Sequence, residues 1–215
     1  MKIVDALTLP AEYRELLRPG EVVAVSESEV HALPRFFYEV DSWEHAKAMQ
    51  LTPHFTVAEL ITVDCREADL LLKTFPHYVP CAVAVLARYL EEFRQRVDAP
   101  VCVAVNGGYR SPAHRLHSSS SSSPLSSAIP ENEERRKQPR FFSLHQWATA
   151  ANLYRIGDTW LNSQKSIERY ARIAESIGSE IYVRPYGPAP GETDDHLHLD
   201  LGYLLCAPRG YTEAR

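Results

Sequence analysis

The chain has 215 residues, 45% of them hydrophobic and 24% charged, which are the proportions of a globular protein and exclude disorder along its whole length. No stretch approaches the roughly 18 uncharged apolar residues of a membrane-spanning helix. The formal charge of −5 excludes the strongly basic footprint of a nucleic-acid-binding domain.

The first residues contain Asp5, Glu12, Arg14 and Glu15, which leave no room for the apolar core of a secretory leader after Lys2. A cytoplasmic location is therefore the default expectation. Cys65, Cys81, Cys102 and Cys206 are scattered and form no C-x-x-C pair, so they read as free or buried thiols rather than a disulfide scaffold.

Residues 1–52 read as an N-terminal extension that packs against the main domain. A short helix is expected over Pro10–Leu17, stopped by Pro19-Gly20, with a strand over Glu21–Ser26 and a short helix over Trp43–Gln50. The main domain spans 53–205. It opens on His54-Phe55-Thr56-Val57-Ala58-Glu59-Leu60, where Thr56 and Glu59 form a T-x-x-E capping box and Phe55 and Leu60 fit a hydrophobic staple. A helix should start at Val57 and run to about residue 63. Cys81–Val97 is the longest helix candidate. Val83, Leu86, Leu90, Phe93 and Val97 form its apolar stripe, and Glu91, Arg94 and Arg96 are expected outside.

Val101–Val105 reads as a short buried strand that runs into a sharp turn at Asn106-Gly107-Gly108. Residues 117–140 hold a six-serine run and the charged stretch Glu131–Lys137, the composition of a flexible insertion. Ser163–Ile177 is an amphipathic helix, started by Asn162 or Ser163 and ended by Gly178. Ile181–Arg184 and His196–Leu201 are strands on either side of a Pro/Gly loop, and 206–215 is a tail.

The chemistry concentrates in Asp194-Asp195-His196-Leu197-His198-Leu199-Asp200-Leu201. On a strand, the leucines face one side and His196, His198 and Asp200 the other. Two histidines so spaced can converge on one metal ion or one substrate; the same pattern also fits a solvent-exposed strand face. His145 lies in Ser143-Leu144-His145-Gln146-Trp147-Ala148-Thr149-Ala150-Ala151-Asn152, where a lone His beside a Trp also reads as core packing. Gly107-Gly108-Tyr109-Arg110-Ser111-Pro112-Ala113-His114 fixes a turn directly after a strand and places Arg110 there. A guanidinium at that point suits bidentate binding of a carboxylate, or a structural ion pair.

Taken in order, HFTVAEL, GYRSPAH, S-x-H-x(6)-N and H-x-H-x-D resemble the zinc D-Ala-D-Ala carboxypeptidases and their DD-dipeptidase and phage endopeptidase relatives, which share a fold with the hedgehog signalling domain. The resemblance spans roughly Pro53 to Tyr203. It implies an α+β fold with a small antiparallel sheet, a hydrolase acting on peptides, and a Zn²⁺ cofactor held by His145, the position of Asn152, and His198. It also implies a substrate-handling Arg110, a catalytic His196, a general base at Asp195, and Ser143 supporting the site from behind. The implied partner is a short peptide or peptidoglycan stem ending in D-amino acids. The chain departs from the family pattern at Ala148, where the family has Gly, and at Asn152, where it has Asp.

A neutral amide oxygen is a weaker zinc ligand than a carboxylate. Three readings follow for Asn152: a weak ligand in an active site; a set completed by Asp158, Asp200 or His196; or a cleft without metal that binds and does not cut. The alternative function is therefore an inactive descendant serving as a peptide- or peptidoglycan-binding or structural module. An enzyme acting on the wall without a leader would need phage-type release, whereas a cytoplasmic dipeptidase would not. The expected sheet draws its central strands from 101–105, 148–154, 181–184 and 196–201, with helices 57–63, 82–97 and 163–177 around it.

Overall fold

The computed structural model describes residues 1–61, 75–112, 142–187 and 193–208. Cys65, His114, the serine-rich stretch 117–140, and most of the Pro/Gly loop before His196 lie outside the described residues. Among the described residues the architecture is α+β, with small antiparallel sheets and a few helices. No helix among them is long and apolar enough to cross a membrane.

The N-terminal segment forms β1 (Ile3–Asp5), α1 (Ala11–Leu17), the hairpin β2 (Val22–Ala24) and β3 (Val30–Ala32), β4 (Phe36–Glu39) and α2 (Trp43–Ala48). Pro10 stands at the N-cap of α1, and Arg18 ends it in the left-handed region at φ 48°. Ser42 caps α2 by accepting the His45 N–H at 3.1 Å. This helix stops at Ala48, short of the expected Gln50, because Gln50 begins β5 (Gln50–Thr52), which pairs with β6 (Phe55–Thr56). Strand β4 is flanked by β1 on one side and by β7 (Tyr78–Pro80) on the other, so the N-terminal segment and the main domain share a sheet. Phe36, Tyr38 and Met49 join the same buried core as Leu86 and Leu90.

The capping box forms as expected. The Glu59 carboxylate accepts the Thr56 N–H at 2.7 Å and the Thr56 hydroxyl at 3.0 Å, and Phe55 and Leu60 are both buried. The helix it starts, α3 (Val57–Leu60), is a single turn. Its final carbonyl, on Leu60, accepts the Tyr109 N–H at 2.7 Å, which ties it to the turn carrying Gly108; residues 62 and 63 of the expected helix lie outside the described residues.

Helix α4 (Val83–Val97) buries Val83, Leu86, Leu90 and Phe93, as the periodicity requires. Glu91 corrects the expected polar face: it is buried. Ala87 and Glu91, one helical turn apart, widen the buried stripe towards the β5–β6 hairpin. There the Glu91 carboxylate accepts the Thr52 hydroxyl at 2.8 Å and the His54 N–H at 3.1 Å, and pairs with His54 Nδ1 at 2.7 Å. A buried carboxylate is tolerable only with such partners.

The sheet that carries the site is made of β8 (Val101–Val103), β9 (Ala150–Ile156), β10 (Thr159–Trp160), β11 (Tyr182–Val183) and β12 (Leu197–Asp200), all antiparallel. β9 and β12 are central. β8 and β11, expected among the central strands, lie outside them, one beside β9 and the other beside β12. Ala151, Leu153, Leu197 and Leu199 turn to the helices and are buried there with Ile167, Tyr170 and Ala174 of α5 (Gln164–Glu175). Each large apolar side chain so buried stabilises the fold by about 1.5–3 kcal/mol. Ser163 starts α5 by accepting the Ser166 N–H at 3.3 Å. The helix ends at Ser176 through tight bonds to Ile173 and Ala174, and Gly178, expected as its left-handed stop, does not adopt positive φ.

Candidate functional site

Three segments bring the candidate residues together on the sheet face opposite the helices. The first is the turn after β8. Asn106 takes φ 58°, and the next two residues are glycine where the backbone has no room for a side chain. A Cβ on Gly108 would lie 2.1 Å from the Leu60 carbonyl oxygen, and one on Gly107 would lie 2.8 Å from that of Asn152. The Asn152 N–H donates to Gly107 O at 2.7 Å, fixing the turn against β9.

The second segment is the short turn Leu144–Gln146, whose N-terminus Ser143 caps by accepting the His145 N–H at 3.4 Å. His145 is 4% exposed, and its Nδ1–H donates to Gly108 O at 2.8 Å. That bond fixes the tautomer and leaves Nε2 with its lone pair. Burial, reinforced by the charge of Arg110, lowers the His145 pKa to about 3, so the ring is neutral at physiological pH. The following Trp147 is fully buried and donates its indole N–H to Ala32 O at 2.9 Å, so β3 clamps the segment that presents His145. Ala148, where the resemblance implies Gly, sits at φ 57°, a left-handed conformation that costs a residue with a Cβ about 1–2 kcal/mol.

The third segment is β12 with its partners. His198 lies opposite Asn152 in the β9–β12 register, and His198 Nδ1 is 2.8 Å from Asn152 Oδ1. The His145 and His198 rings stand 5.5 Å apart between centroids, inclined at 71°. On its other edge, His198 Nε2 lies 3.2 Å from Asp200 Oδ2, and Asp200 Oδ1 accepts the Gly202 N–H at 2.9 Å. Asp200, which shares the face of His198 as the alternation requires, is only 4% exposed, so the alternative of a solvent-exposed strand face does not hold at this residue.

Arg110 borders this cluster. Its backbone N–H donates to His145 O at 3.0 Å and its Nε to Asn106 O at 2.6 Å. Among the described residues no carboxylate forms an ion pair with it, and burial pulls its pKa below the ordinary value. His196 is half-buried. Its Nδ1 lies 2.7 Å from Asp195 Oδ1 and its Nε2 lies 3.3 Å from an Arg184 guanidinium nitrogen. The Asp195 side chain is 90% exposed, and the hydrogen bond to His196 holds its carboxyl below the usual range. Arg184 also pairs with Asp194, which accepts the Gly187 N–H at 2.9 Å.

The structure thus brings His145, Asn152, His198 and Arg110 together and sets the Asp195–His196 pair at the edge. Asp158, one of the alternatives for completing a ligand set, is in the turn between β9 and β10. Sequence reasoning missed Arg184 and Asp194. Their signal was a basic residue ending one strand and an acidic one just before the next, which is common at loop ends and does not by itself mark a site.

Among the described residues no group of three or more His, Cys, Asp or Glu side chains is arranged to hold a metal ion. Asn152 falls outside that chemistry, and with it the donors become two imidazole nitrogens and an amide oxygen. The fit of this set to a cation rests on His198. Both of its ring nitrogens face acceptor oxygens, yet a neutral ring has one proton. One contact is therefore lone pair against lone pair unless the Asn152 amide is turned to donate its Nδ2–H, or a second proton or a cation lies there. Zinc–nitrogen distances of about 2.0–2.1 Å put two imidazoles on one ion with ring centres on the order of 5 Å apart, which the observed spacing matches. Free thiols at Cys81, Cys102 and Cys206 lie apart from this chemistry, and burial pushes Cys81 up to about 12.

Comparison with protein-family models, with curated proteins and with solved structures finds no match to this chain.

Proposed function

We propose that the chain is a zinc-dependent, peptidase-like hydrolase with a hedgehog/DD-peptidase type of fold, acting on short cell-wall-type peptides that end in D-amino acids. The observation that supports it most is the convergence of His145 and His198 from separate segments, with Asn152 directly across from His198. The ordered motif resemblance supplies the substrate class.

In this reading His145, Asn152 and His198 hold the ion. When bound, zinc acidifies a water and polarises the scissile carbonyl. Arg110, a partly buried cation among the described residues without a carboxylate, binds the terminal carboxylate or the developing oxyanion. His196 is the residue placed to handle a proton. Asp195 orients it, since its own carboxylate is exposed and committed to the imidazole. Arg184 beside His196 Nε2 means that a substrate oxygen there meets a guanidinium and an imidazole together.

The test is release of D-Ala from a short peptide ending in D-Ala-D-Ala by zinc-supplemented protein. Activity is expected, with total loss in His145→Ala and a fall of about 100–1,000-fold in Arg110→Ala. Absence of release by zinc-loaded protein would contradict the hydrolase.

A second reading, a peptide-binding module that does not cut, is favoured by the neutral amide at 152 and by the outward-turned Asp195. It is distinguished by saturable binding of the same peptide, weakened by Arg110→Ala, without cleavage.

A further inference from the structure

We infer that Asp200 is a positioning residue for cation binding: it takes the single proton of neutral His198 on Nε2 and so presents the Nδ1 lone pair towards Asn152. This rests on the metal-binding reading above. It gives Asp200 a role different from that of a directly coordinating third carboxylate.

Three observations carry the inference. Asp200 Oδ2 and Asn152 Oδ1 contact opposite nitrogens of one ring, at 3.2 and 2.8 Å. A carboxylate is the stronger acceptor of the two, so it claims the one N–H of a neutral imidazole, and in the metal-free protein the Asn152 amide turns by a half-rotation to donate its Nδ2–H to the bare Nδ1. The carboxylate is also locked: it is 4% exposed, and its other oxygen takes the Gly202 N–H at 2.9 Å, with Gly202 in a left-handed turn at φ 66°. Finally, Asp200 has no ion pair with a Lys or Arg among the described residues; the ring of His198 is the side chain against its carboxylate. A buried negative charge needs a compensating positive one. A divalent ion on the far nitrogen of His198 supplies it through the ring.

The consequence concerns the substitution at 152. The ligand set lacks an anion, and Asp200 restores one charge at one remove, through the ring of His198. The alternation of β12 makes this possible. His198 and Asp200 are two apart on one face, so the carboxylate lies beside the ring.

Two measurements test it. The first is zinc affinity, by competition with a chromophoric chelator, for wild type, Asp200→Asn and Asn152→Asp, with thermal unfolding to show that each variant is folded. Asp200→Asn is expected to weaken zinc by about 10–100-fold. An affinity within twofold of wild type overturns the inference. The second is long-range proton–nitrogen NMR of the imidazoles in metal-free wild type at pH 8. His198 is expected to be protonated on Nε2 and bare on Nδ1, and the reverse tautomer overturns the inference. If neither wild type nor Asn152→Asp binds zinc, the metal-binding reading fails and the inference with it; if wild type binds zinc and the spectrum shows the reverse tautomer, the inference alone fails. The wild-type spectrum also decides it should Asp200→Asn not fold.

Discussion

His198 and Asn152 face each other across β9 and β12, and the imidazole Nδ1 lies 2.8 Å from the amide oxygen. Neither strand determines this alone. β12 supplies the alternation that turns His198 away from the leucine face, and β9 is held in register by Leu199 against Ala151 and Leu197 against Leu153. A slip of one residue would turn His198 into the apolar layer, so the core packing on one face sets the site on the other.

Because the pair is set by the backbone, Asn152→Asp should change the charge of the site with little change in its shape. Zinc affinity is expected to rise by about 100-fold or more, since a carboxylate both ligates better than an amide and neutralises the ion. Chelator competition measures it. An unchanged affinity would mean that residue 152 does not touch the ion.

Gly108 makes a harder demand. A Cβ there would meet the Leu60 carbonyl oxygen at 2.1 Å, so Gly108→Ala must break the bond from Tyr109 to Leu60 or move His145, whose Nδ1–H donates to Gly108 O. A loss of at least about 3 kcal/mol is expected, at or beyond the upper range of overpacking costs. Gly20→Ala is the control: φ is 75° but nothing lies within 4 Å of the new Cβ, and a cost of only about 1–2 kcal/mol is expected. Urea unfolding of the two variants measures the contrast.

His145 gives the metal-free protein an acid sensitivity. Its pKa falls from 6.5 to about 3 on folding because burial and the Arg110 charge disfavour the imidazolium. Between those values the unfolded chain binds a proton that the folded chain refuses. The contribution is therefore complete above about pH 6.5 and is lost as the pH falls towards 3. The slope approaches about 1.4 kcal/mol per pH unit. His145→Gln should remove that part of the slope in urea unfolding series run from pH 7 to pH 4.

Much of this arrangement was legible in the residues. The Thr56–Glu59 box, the apolar stripe of α4 and the alternation of β12 are local patterns, and each marked an element of the expected type, although the helix at Val57 is a single turn. What depended on tertiary contact was harder to read. Glu91 looks like an outward helix residue until the hairpin bearing Thr52 and His54 is laid against it. Asp200 fits a solvent-exposed strand face as well as a site until Gly202 and His198 enclose its carboxylate. The Leu60 carbonyl at the end of α3 looks unclaimed until the Tyr109 N–H reaches it. In each case a polar group was claimed by a partner distant in sequence or folded back over it, which periodicity does not encode. The site shows the same division. His145 and His198 were identifiable as candidates, whereas Arg184 and Asp194 acquire meaning only beside His196.

The central claim is tested most directly by the metal content of purified protein after zinc loading and exhaustive dialysis, in wild type and in His145→Ala, His198→Ala and the double variant. One zinc per chain is expected in wild type, with loss in each variant. Zinc retained by the folded double variant, or none held by folded wild type, would contradict an ion site between these two rings.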